Sequence, residues 1–293
     1  MANVHKVFGG NKKIATALAE AEEDVWKEFQ DIRAYGVEKE EAVCFTAQLT
    51  YTKRREAEQP DKWIEADTVE EVKLKAKTCW RGIIRDDQFV PSKDEVIPIV
   101  CIYTKKRDGR YKCRAVALGN RQTTCSKAEV YSPTITHACN RYLCCHAAAN
   151  GHYILQFDIT LAFINGVLDD ERVFCKLPKH WGGEKVRLLR SLYGLKISPR
   201  KWFDTYRAFL ESTGWVMNAS EPGLFRKDDM VLSIYVDDSL ITGPVLVKFT
   251  HEMTAILKHS SGTVVEPIAT RSDGTVERDL LGATLEYNRE KRT

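Results

Sequence analysis

Three aspartates in the sequence could together form a binding site for divalent cations. Asp237 and Asp238 are adjacent, and Asp158 stands at the end of a separate apolar run. Carboxylate oxygens are the usual protein ligands of Mg²⁺, and two such ions can activate an attacking oxygen and stabilise a leaving one. Like charges about 4 Å apart repel by roughly 4 kcal/mol at an effective dielectric constant near 20, so three converging carboxylates need bound cations.

The Asp237 and Asp238 pair lies between two apolar runs within residues 231–243, VLSIYVDDSLITG. β-branched and aromatic residues favour strands and Asp tolerates tight turns, so this pattern predicts a hairpin with carboxylates at its tip. Asp-Asp pairs also occur at residues 86–87, 169–170 and 228–229. An ordinary solvated turn is therefore the competing interpretation of the pair.

Asp158 follows the apolar run of residues 153–157, which predicts a second strand. Should this strand lie beside the hairpin, the three acids would meet. The competing interpretation is that Asp158 caps a short helix beginning at Ile159, since a strand-end Asp before a helix is a common N-cap.

Three segments together resemble the reverse transcriptases of copia-type LTR retrotransposons. They are QFDITLAFING at residues 156–166, SLYGLKISPRKW at 191–202 and YVDD at 235–238. The resemblance covers about residues 60–287 and implies an α+β fold, the fingers and palm of a right-hand polymerase. In that fold an antiparallel palm sheet carries helices on one side. The implied fingers are residues 60–150 and 175–220, and the implied palm is residues 151–174 and 221–293.

The resemblance implies an RNA-directed DNA polymerase that adds deoxynucleotides to a primer on an RNA or DNA template. Asp158 and Asp237 would bind two Mg²⁺ ions, for which Mn²⁺ could substitute, and Asp238 would support them electrostatically. The chain ends soon after residue 287, so it is expected to be truncated, and whether a partner chain supplies a thumb or RNase H domain is left open. Ile197 replaces the family's usual Gln. The missing thumb, this substitution and the unrelated N-terminal segment motivate the alternative, a degenerate or domesticated, catalytically inactive retroelement fragment that binds nucleic acid or merely folds.

Residues 97–118 form the most basic part of the chain and predict a long hairpin. Period-two alternation places Lys112 and Arg114 on one face of its second strand, where they could reach a polyanion. Protection of a sheet edge by charge is an equally good interpretation. The resemblance implies that Arg114 and, more loosely, Lys105 contact the incoming triphosphate, and Lys106 matches almost as well as Lys105.

The resemblance assigns further residues around the substrates. Phe163 would exclude a ribose 2′-hydroxyl, although an ordinary position in a helix core would be the preferred interpretation of Phe163 if the motif stood alone. Gly194 and Lys196 precede a helix predicted to start at Ser198 and Pro199, where backbone donors can bind phosphate. The primer or template would contact three more residues: Tyr235, Leu281 and Gly282.

Composition is that of a soluble globular chain, with 293 residues, 43% hydrophobic, 29% charged and a net charge of +3. Nine cysteines without a C-x-x-C pair argue against a disulfide framework and against a structural zinc site. They favour a reducing, intracellular location, and the family adds the cytoplasm, within a virus-like particle, and the nucleus. Neither a signal peptide nor a membrane span is expected. Residues 1–59 predict a helical N-terminal extension of unknown role.

Overall fold

The computed structural model describes residues 59–90, 94–106, 109–123, 130–168, 171–260 and 262–293. The helix predicted from the N-terminal pattern lies outside these residues. Within them five helices occur: α1 Pro60–Ala76, α2 His137–Asn150, α3 Ala162–Asn165, α4 Ser198–Ser212 and α5 Leu246–Ser260. Together with antiparallel sheets, they confirm the predicted mixed α+β class. Among the helices described, none has the length and apolar character needed to cross a bilayer.

The described residues group into two compact units, 133–161 with 207–293 and 59–132 with 162–206. The strands of the first unit are β4 Tyr153–Ile159, β7 Val216–Met217, β8 Leu224–Lys227, β9 Met230–Tyr235, β10 Asp238–Gly243, β11 Gly262–Val264, β12 Ala269–Thr270, β13 Val276–Leu280 and β14 Ala283–Tyr287. Those of the second unit are β1 Trp80–Gly82, β2 Val96–Lys105, β3 Tyr111–Ala117, β5 Phe174–Lys176 and β6 Lys185–Leu188.

The first unit is built on a six-stranded antiparallel sheet with the order β11-β4-β10-β9-β8-β7, beside a three-stranded sheet β12-β13-β14. On one face, Ile154 and Leu240 pack with α2 and with the β13–β14 hairpin. Tyr153 points to the opposite face because side chains alternate along a strand, and its ring lies 6.4 Å from that of Phe249 in α5. The expectation that helices cover one side only is therefore wrong, because the sheet is apolar on both faces.

Helix α2 is fixed to the first unit at both ends. The Thr136 side chain accepts a hydrogen bond from the Cys139 amide at 3.3 Å, and Glu221 accepts one from the Thr136 amide at 2.7 Å. Gly151 ends the helix with a φ of 63°, a conformation that glycine adopts at little cost. The inward face of α2, Cys139, Leu143 and Ala147, is buried in the core of this unit. Residues 133–150 thus group with this sheet, on the other side of the predicted boundary at residue 151.

The second unit contains a five-stranded sheet, β1-β6-β5-β2-β3, in which only β2 and β5 are parallel. Strand β3 lies at its edge, where unpaired amides would invite aggregation. Two edge amides of β3 are occupied: Ala115 donates to the Glu70 carboxylate of α1 at 3.2 Å, and Ala117 donates to the Tyr193 carbonyl at 2.7 Å. These contacts hold α1 and the Tyr193 segment along the basic hairpin.

Candidate metal and nucleotide site

Strand β4, in which Asp158 is the second-last residue, lies directly beside β10, which begins at Asp238. In the β4–β10 pairing Asp158 is opposite Asp238, so the two side chains share one face of the sheet. The neighbouring Ile159 amide donates to the Asp237 carbonyl at 2.9 Å. Asp158 and Asp238 are therefore a non-hydrogen-bonded pair, the type in which Cα atoms are only about 4.5 Å apart. Strand β4 continues through Ile159, so the alternative of a helix starting there is wrong.

Asp237 lies at the tip of the hairpin in a two-residue turn, Val236 and Asp237, between β9 and β10. Val236 has a φ of 61° whereas Asp237 has a negative φ, the pattern of a type II′ turn. A β-branched residue in this region costs on the order of 1–3 kcal/mol. The turn is tightly closed and presents an exposed Asp237 next to the half-buried Asp158 and Asp238.

The surroundings of Asp238 disfavour the ionised form of its carboxyl group. Its pKa is raised to about 6, first by burial and then by the charges of Asp237 and Asp158, with a smaller contribution from Asp279. A hydrogen bond from Gln156 opposes the rise. Gln156 also donates to the Asp279 carbonyl at 3.0 Å, which links β4 to β13. Gln156 and Asp279 were not predicted from the sequence. Gln156 carries one signal, a polar residue at a buried position of an apolar strand, whereas Asp279 is exposed and carries none.

The donor set fits a hard divalent cation, because carboxylate oxygens are the ligands such ions prefer and the site already concentrates negative charge. The ligand oxygens of the three aspartates do not all lie within 4.8 Å of one another. Within the part of the chain that is described, one trio has ligand atoms all within 4.8 Å of one another, and it is Asp67, Cys101 and His180.

Replacing Asp238 with Asn should stabilise the metal-free protein at neutral pH. A carboxyl whose pKa is raised to about 6 destabilises the folded state once it ionises, and this cost develops between about pH 4 and pH 6. In EDTA, urea unfolding should show the variant about 2 kcal/mol more stable at pH 7.5 and nearly equal to wild type at pH 4. The exposed Asp229→Asn is the control. The same difference at both pH values would contradict the assignment.

The basic hairpin divides its charges between two faces. Lys112 and Arg114 share one face of β3, and the pKa of Lys112 is lowered by burial and then by the charges of Arg114 and Lys106. Lys105 lies opposite Tyr111 in the β2–β3 pairing, so these two side chains share a face of the sheet. Tyr111 is three residues from Arg114, and because side chains alternate along a strand, Lys105 lies on the face opposite to that of Arg114. Its ammonium lies 5.2 Å from the Tyr111 ring. Lys106, which the sequence offers as nearly as good a candidate as Lys105, follows it by one residue and so is on the same side of the hairpin as Lys112 and Arg114.

Phe163 belongs to an aromatic stack within the second unit. The Phe163 ring contacts the Tyr193 ring edge-on, with 5.2 Å between the ring centroids. The Arg114 guanidinium lies 5.7 Å from the centroid of the same Tyr193 ring. Phe163 is half-buried rather than sealed in the core. Tyr193 therefore joins two of the predicted residues into one surface, a role that the sequence did not reveal.

Gly194 and Lys196 are held by backbone contacts. Gly194 has a φ of 88°, and an added Cβ would lie 2.1 Å from the Ala117 carbonyl oxygen. The Lys196 amide donates to the Gln122 side chain at 2.9 Å, and its ammonium donates to the Gln122 carbonyl at 2.7 Å. The Ser198 hydroxyl donates to the Leu192 carbonyl at 2.6 Å, so it ties down the preceding loop where helix α4 begins.

The predicted primer-contacting residues all belong to the first unit. Tyr235 ends β9 opposite Asp238 and packs, with Leu281, against the core under the sheet. Leu281 and Gly282 form the two-residue turn between β13 and β14, with φ values of 53° and 78°. Positive φ at both positions is the mark of a type I′ turn, which presents a narrow, fixed tip.

Comparison with known proteins agrees with the motifs. A family model described as "Reverse transcriptase (RNA-dependent DNA polymerase)" matches residues 88–261. The truncated transposon Ty1-A Gag-Pol polyprotein of Saccharomyces cerevisiae is 28% identical over 253 residues, which cover 83% of this chain and 20% of the relative. The transposon Ty1-LR2 Gag-Pol polyprotein of the same yeast is also 28% identical, over 83% of this chain and 14% of the relative. The chain thus spans about a fifth or less of these relatives, and the resemblance to copia-type reverse transcriptases is confirmed.

Proposed function

Because the chain belongs to the reverse transcriptase family of RNA-dependent DNA polymerases, we propose that it is the fingers and palm part of a retrotransposon polymerase that extends a DNA primer. The family implies a nucleotidyltransferase that uses divalent metal ions, a primer on a template and deoxynucleoside triphosphates. In this proposal the first unit is the palm and the second unit belongs to the fingers. The site of action would be inside the cell, in the cytoplasm and the nucleus.

One observation carries the proposal: Asp158 and Asp238 face each other across β4 and β10, directly beneath the turn that bears Asp237. In the reaction, the primer 3′-oxygen forms a bond to the α-phosphorus of the nucleotide, and the bond to the bridging oxygen breaks to release pyrophosphate. Asp158 and Asp237 would hold two Mg²⁺ ions, which supply charge that activates the hydroxyl and stabilises the leaving group.

The remaining residues of the first unit position these groups. Asp238 adds negative charge next to the two proposed ligands, and Gln156 fixes its carboxylate by a hydrogen bond. The closed turn at Val236 leaves Asp237 little freedom, so that little order has to be gained when substrate binds. The turn at Leu281 and Gly282, together with Tyr235, would contact the primer strand.

The second unit would bind the nucleotide. Arg114 and Lys106, with Lys105 as the weaker candidate, would neutralise the triphosphate, since a guanidinium suits bidentate contact with phosphate. Gly194 and Lys196 would present the loop before α4 to the base-paired nucleotide. Phe163, packed on Tyr193, would occupy the space of a ribose 2′-hydroxyl.

The proposal is tested by primer extension. The chain, with a DNA primer annealed to an RNA template and with Mg²⁺ or Mn²⁺, should incorporate deoxynucleotides, and chelation should stop the reaction. Salt-sensitive binding to the primer-template without any extension would contradict the polymerase and would instead support the alternative of an inactive fragment that binds nucleic acid.

Replacing Phe163 with Val should relax the discrimination between deoxy- and ribonucleotides by at least about tenfold, because removal of a few carbon atoms from a steric contact is worth 1–3 kcal/mol. Single-nucleotide incorporation of dNTP and rNTP measures the ratio. Phe163→Tyr, which keeps the ring, should retain the wild-type ratio. An unchanged ratio in Phe163→Val would assign Phe163 to packing alone.

A further inference from the structure

A second cluster of metal-binding side chains lies in the second unit and takes no part in the proposed polymerase chemistry. Asp67 of α1, Cys101 of β2 and His180 of the 3₁₀ helix Lys179–Trp181 have ligand atoms all within 4.8 Å of one another. The Nε2 atom of His180 lies 3.2 Å from Oδ1 of Asp67. The Sγ atom of Cys113, in β3, lies 3.5 Å from the same oxygen and is hydrogen-bonded to Cys101.

These separations are those of a tetrahedral zinc site. Zinc binds nitrogen and oxygen at about 2.0–2.2 Å and sulfur at about 2.3 Å, which places neighbouring ligand atoms roughly 3.3–3.8 Å apart. The two measured separations, 3.2 Å and 3.5 Å, match that range within a few tenths of an ångström. Asp67, Cys101 and His180 are thus close enough to share one ion, and the Cys113 side chain, which contacts Asp67 and Cys101 but lies outside this trio, would have to move to complete the site.

The backbone brings the two cysteines together by register. Tyr103 pairs with Cys113 and Cys101 pairs with Ala115, so Cys101, Tyr103 and Cys113 project from the same face of the hairpin. Helix α1 lies over this face and supplies Asp67, whose Oδ1 also accepts a hydrogen bond from the Tyr103 hydroxyl at 2.9 Å. A hydrogen bond of this kind to a metal-binding carboxylate is the outer support that such sites use.

The centre of the cluster is buried, whereas Cys101 and His180 are partly exposed. Asp67 is 6% exposed, Cys113 2% and Tyr103 fully buried, and the ring of Trp63 packs edge-on against Tyr103. The buried Asp67 carboxylate already accepts hydrogen bonds from Tyr103 and Cys113, and a divalent cation would add the opposite charge that favours its ionised form. Thiolate and imidazole ligands select zinc over Mg²⁺.

We propose that Asp67, Cys101, Cys113 and His180 form a structural zinc site. Four protein ligands leave no position open for substrate, which is the character of a structural rather than a catalytic site. Binding replaces the protons of the two thiols by the metal and keeps His180 neutral. The ion would join α1, the basic hairpin and the segment at 179–181. Because the ligands come from four separate elements, the sequence contains no C-x-x-C spacing that would have predicted this site.

Metal analysis of the whole purified chain tests the proposal directly. The protein should contain about one zinc per chain, and after removal of that zinc by a chelator, added Co²⁺ should produce a cobalt–thiolate absorption band that one equivalent of zinc abolishes. A wild-type protein that takes up neither metal would overturn the proposal. Primer extension is not the readout, so failure of the polymerase proposal would leave this result unaffected.

Variants then assign the ligands. Cys101→Ser and His180→Gln should each weaken zinc binding by at least about a hundredfold, since even outer partners of a metal site are worth 10–100-fold. Cys175→Ser is the matched control, because Cys175 is a fully buried thiol in β5 of the same unit and outside the cluster. Equal losses in Cys175→Ser and Cys101→Ser would overturn the assignment. Competition with a chromophoric chelator measures the affinities, and circular dichroism verifies that each variant is folded.

Discussion

Replacing Asp237 with Asn should lower primer extension by about a thousandfold or more while leaving the protein folded. Asn keeps the size of the side chain and the turn conformation, but it removes the charge that would hold a divalent ion at the exposed tip of the hairpin. Loss of one preorganised electrostatic contact costs about 10²–10³ in rate, and loss of a metal ligand removes more than one such contact. Single-turnover extension under saturating primer-template measures the effect on the chemical step.

The sheet supplies a matched control for this variant. Asp229 is the second residue of the two-residue turn between β8 and β9, as Asp237 is between β9 and β10, and it is also exposed. Asp229→Asn should extend primers within about twofold of wild type. Asp158→Asn should be as inactive as Asp237→Asn, and the double variant should lose little more, because residues that act as a unit are not additive. Comparable losses in Asp229→Asn and Asp237→Asn would point to a general charge effect instead.

Replacing Gly194 with Ala should lower the free energy of unfolding by about 3 kcal/mol or more. The left-handed backbone at φ 88° costs a non-glycine residue about 1 kcal/mol or more. The new Cβ would also lie 2.1 Å from the Ala117 carbonyl oxygen and 2.6 Å from Val116, which is far inside contact distance. Relief requires the loop before α4 to separate from β3, and overpacking of this kind adds about 1–3 kcal/mol.

Two other glycines serve to separate the backbone cost of the Gly194→Ala substitution from its steric cost. Gly109 has a φ of 82° with no atom within 4 Å of an added Cβ, so Gly109→Ala should cost only about 1 kcal/mol. Gly82 has open space and no positive φ, and Gly82→Ala should be nearly neutral. Urea unfolding of all three variants gives the comparison. A cost for Gly194→Ala no larger than that for Gly109→Ala would show that the loop does not press on β3.

Local patterns in the sequence were sufficient to predict the hairpins. The alternation around residues 231–243 and the basic run before residue 118 correspond to β9–β10 and β2–β3. The position of Asp158 at the end of a strand followed from the apolar run before it. Such patterns are reliable because they depend on periodicity along a single element.

Features that depend on two distant elements could not be predicted in this way. The hydrogen bonds of Gln156 to Asp238 and to the Asp279 carbonyl join β4 to β10 and β13. The opposite faces of Lys105 and Arg114 depend on where β2 ends and on its register with β3. The packing of helices on both faces of the larger sheet, and the meeting of Asp67 with His180, are decided by tertiary contacts alone.

The most direct test of the central claim is the anomalous scattering of Mn²⁺ in crystals of the chain with a primer-template and a non-hydrolysable deoxynucleotide analogue. Two manganese peaks are expected within coordinating distance of the Asp158 and Asp237 carboxylates. Peaks that avoid both side chains, or manganese bound there equally well in Asp158→Asn crystals, would contradict it.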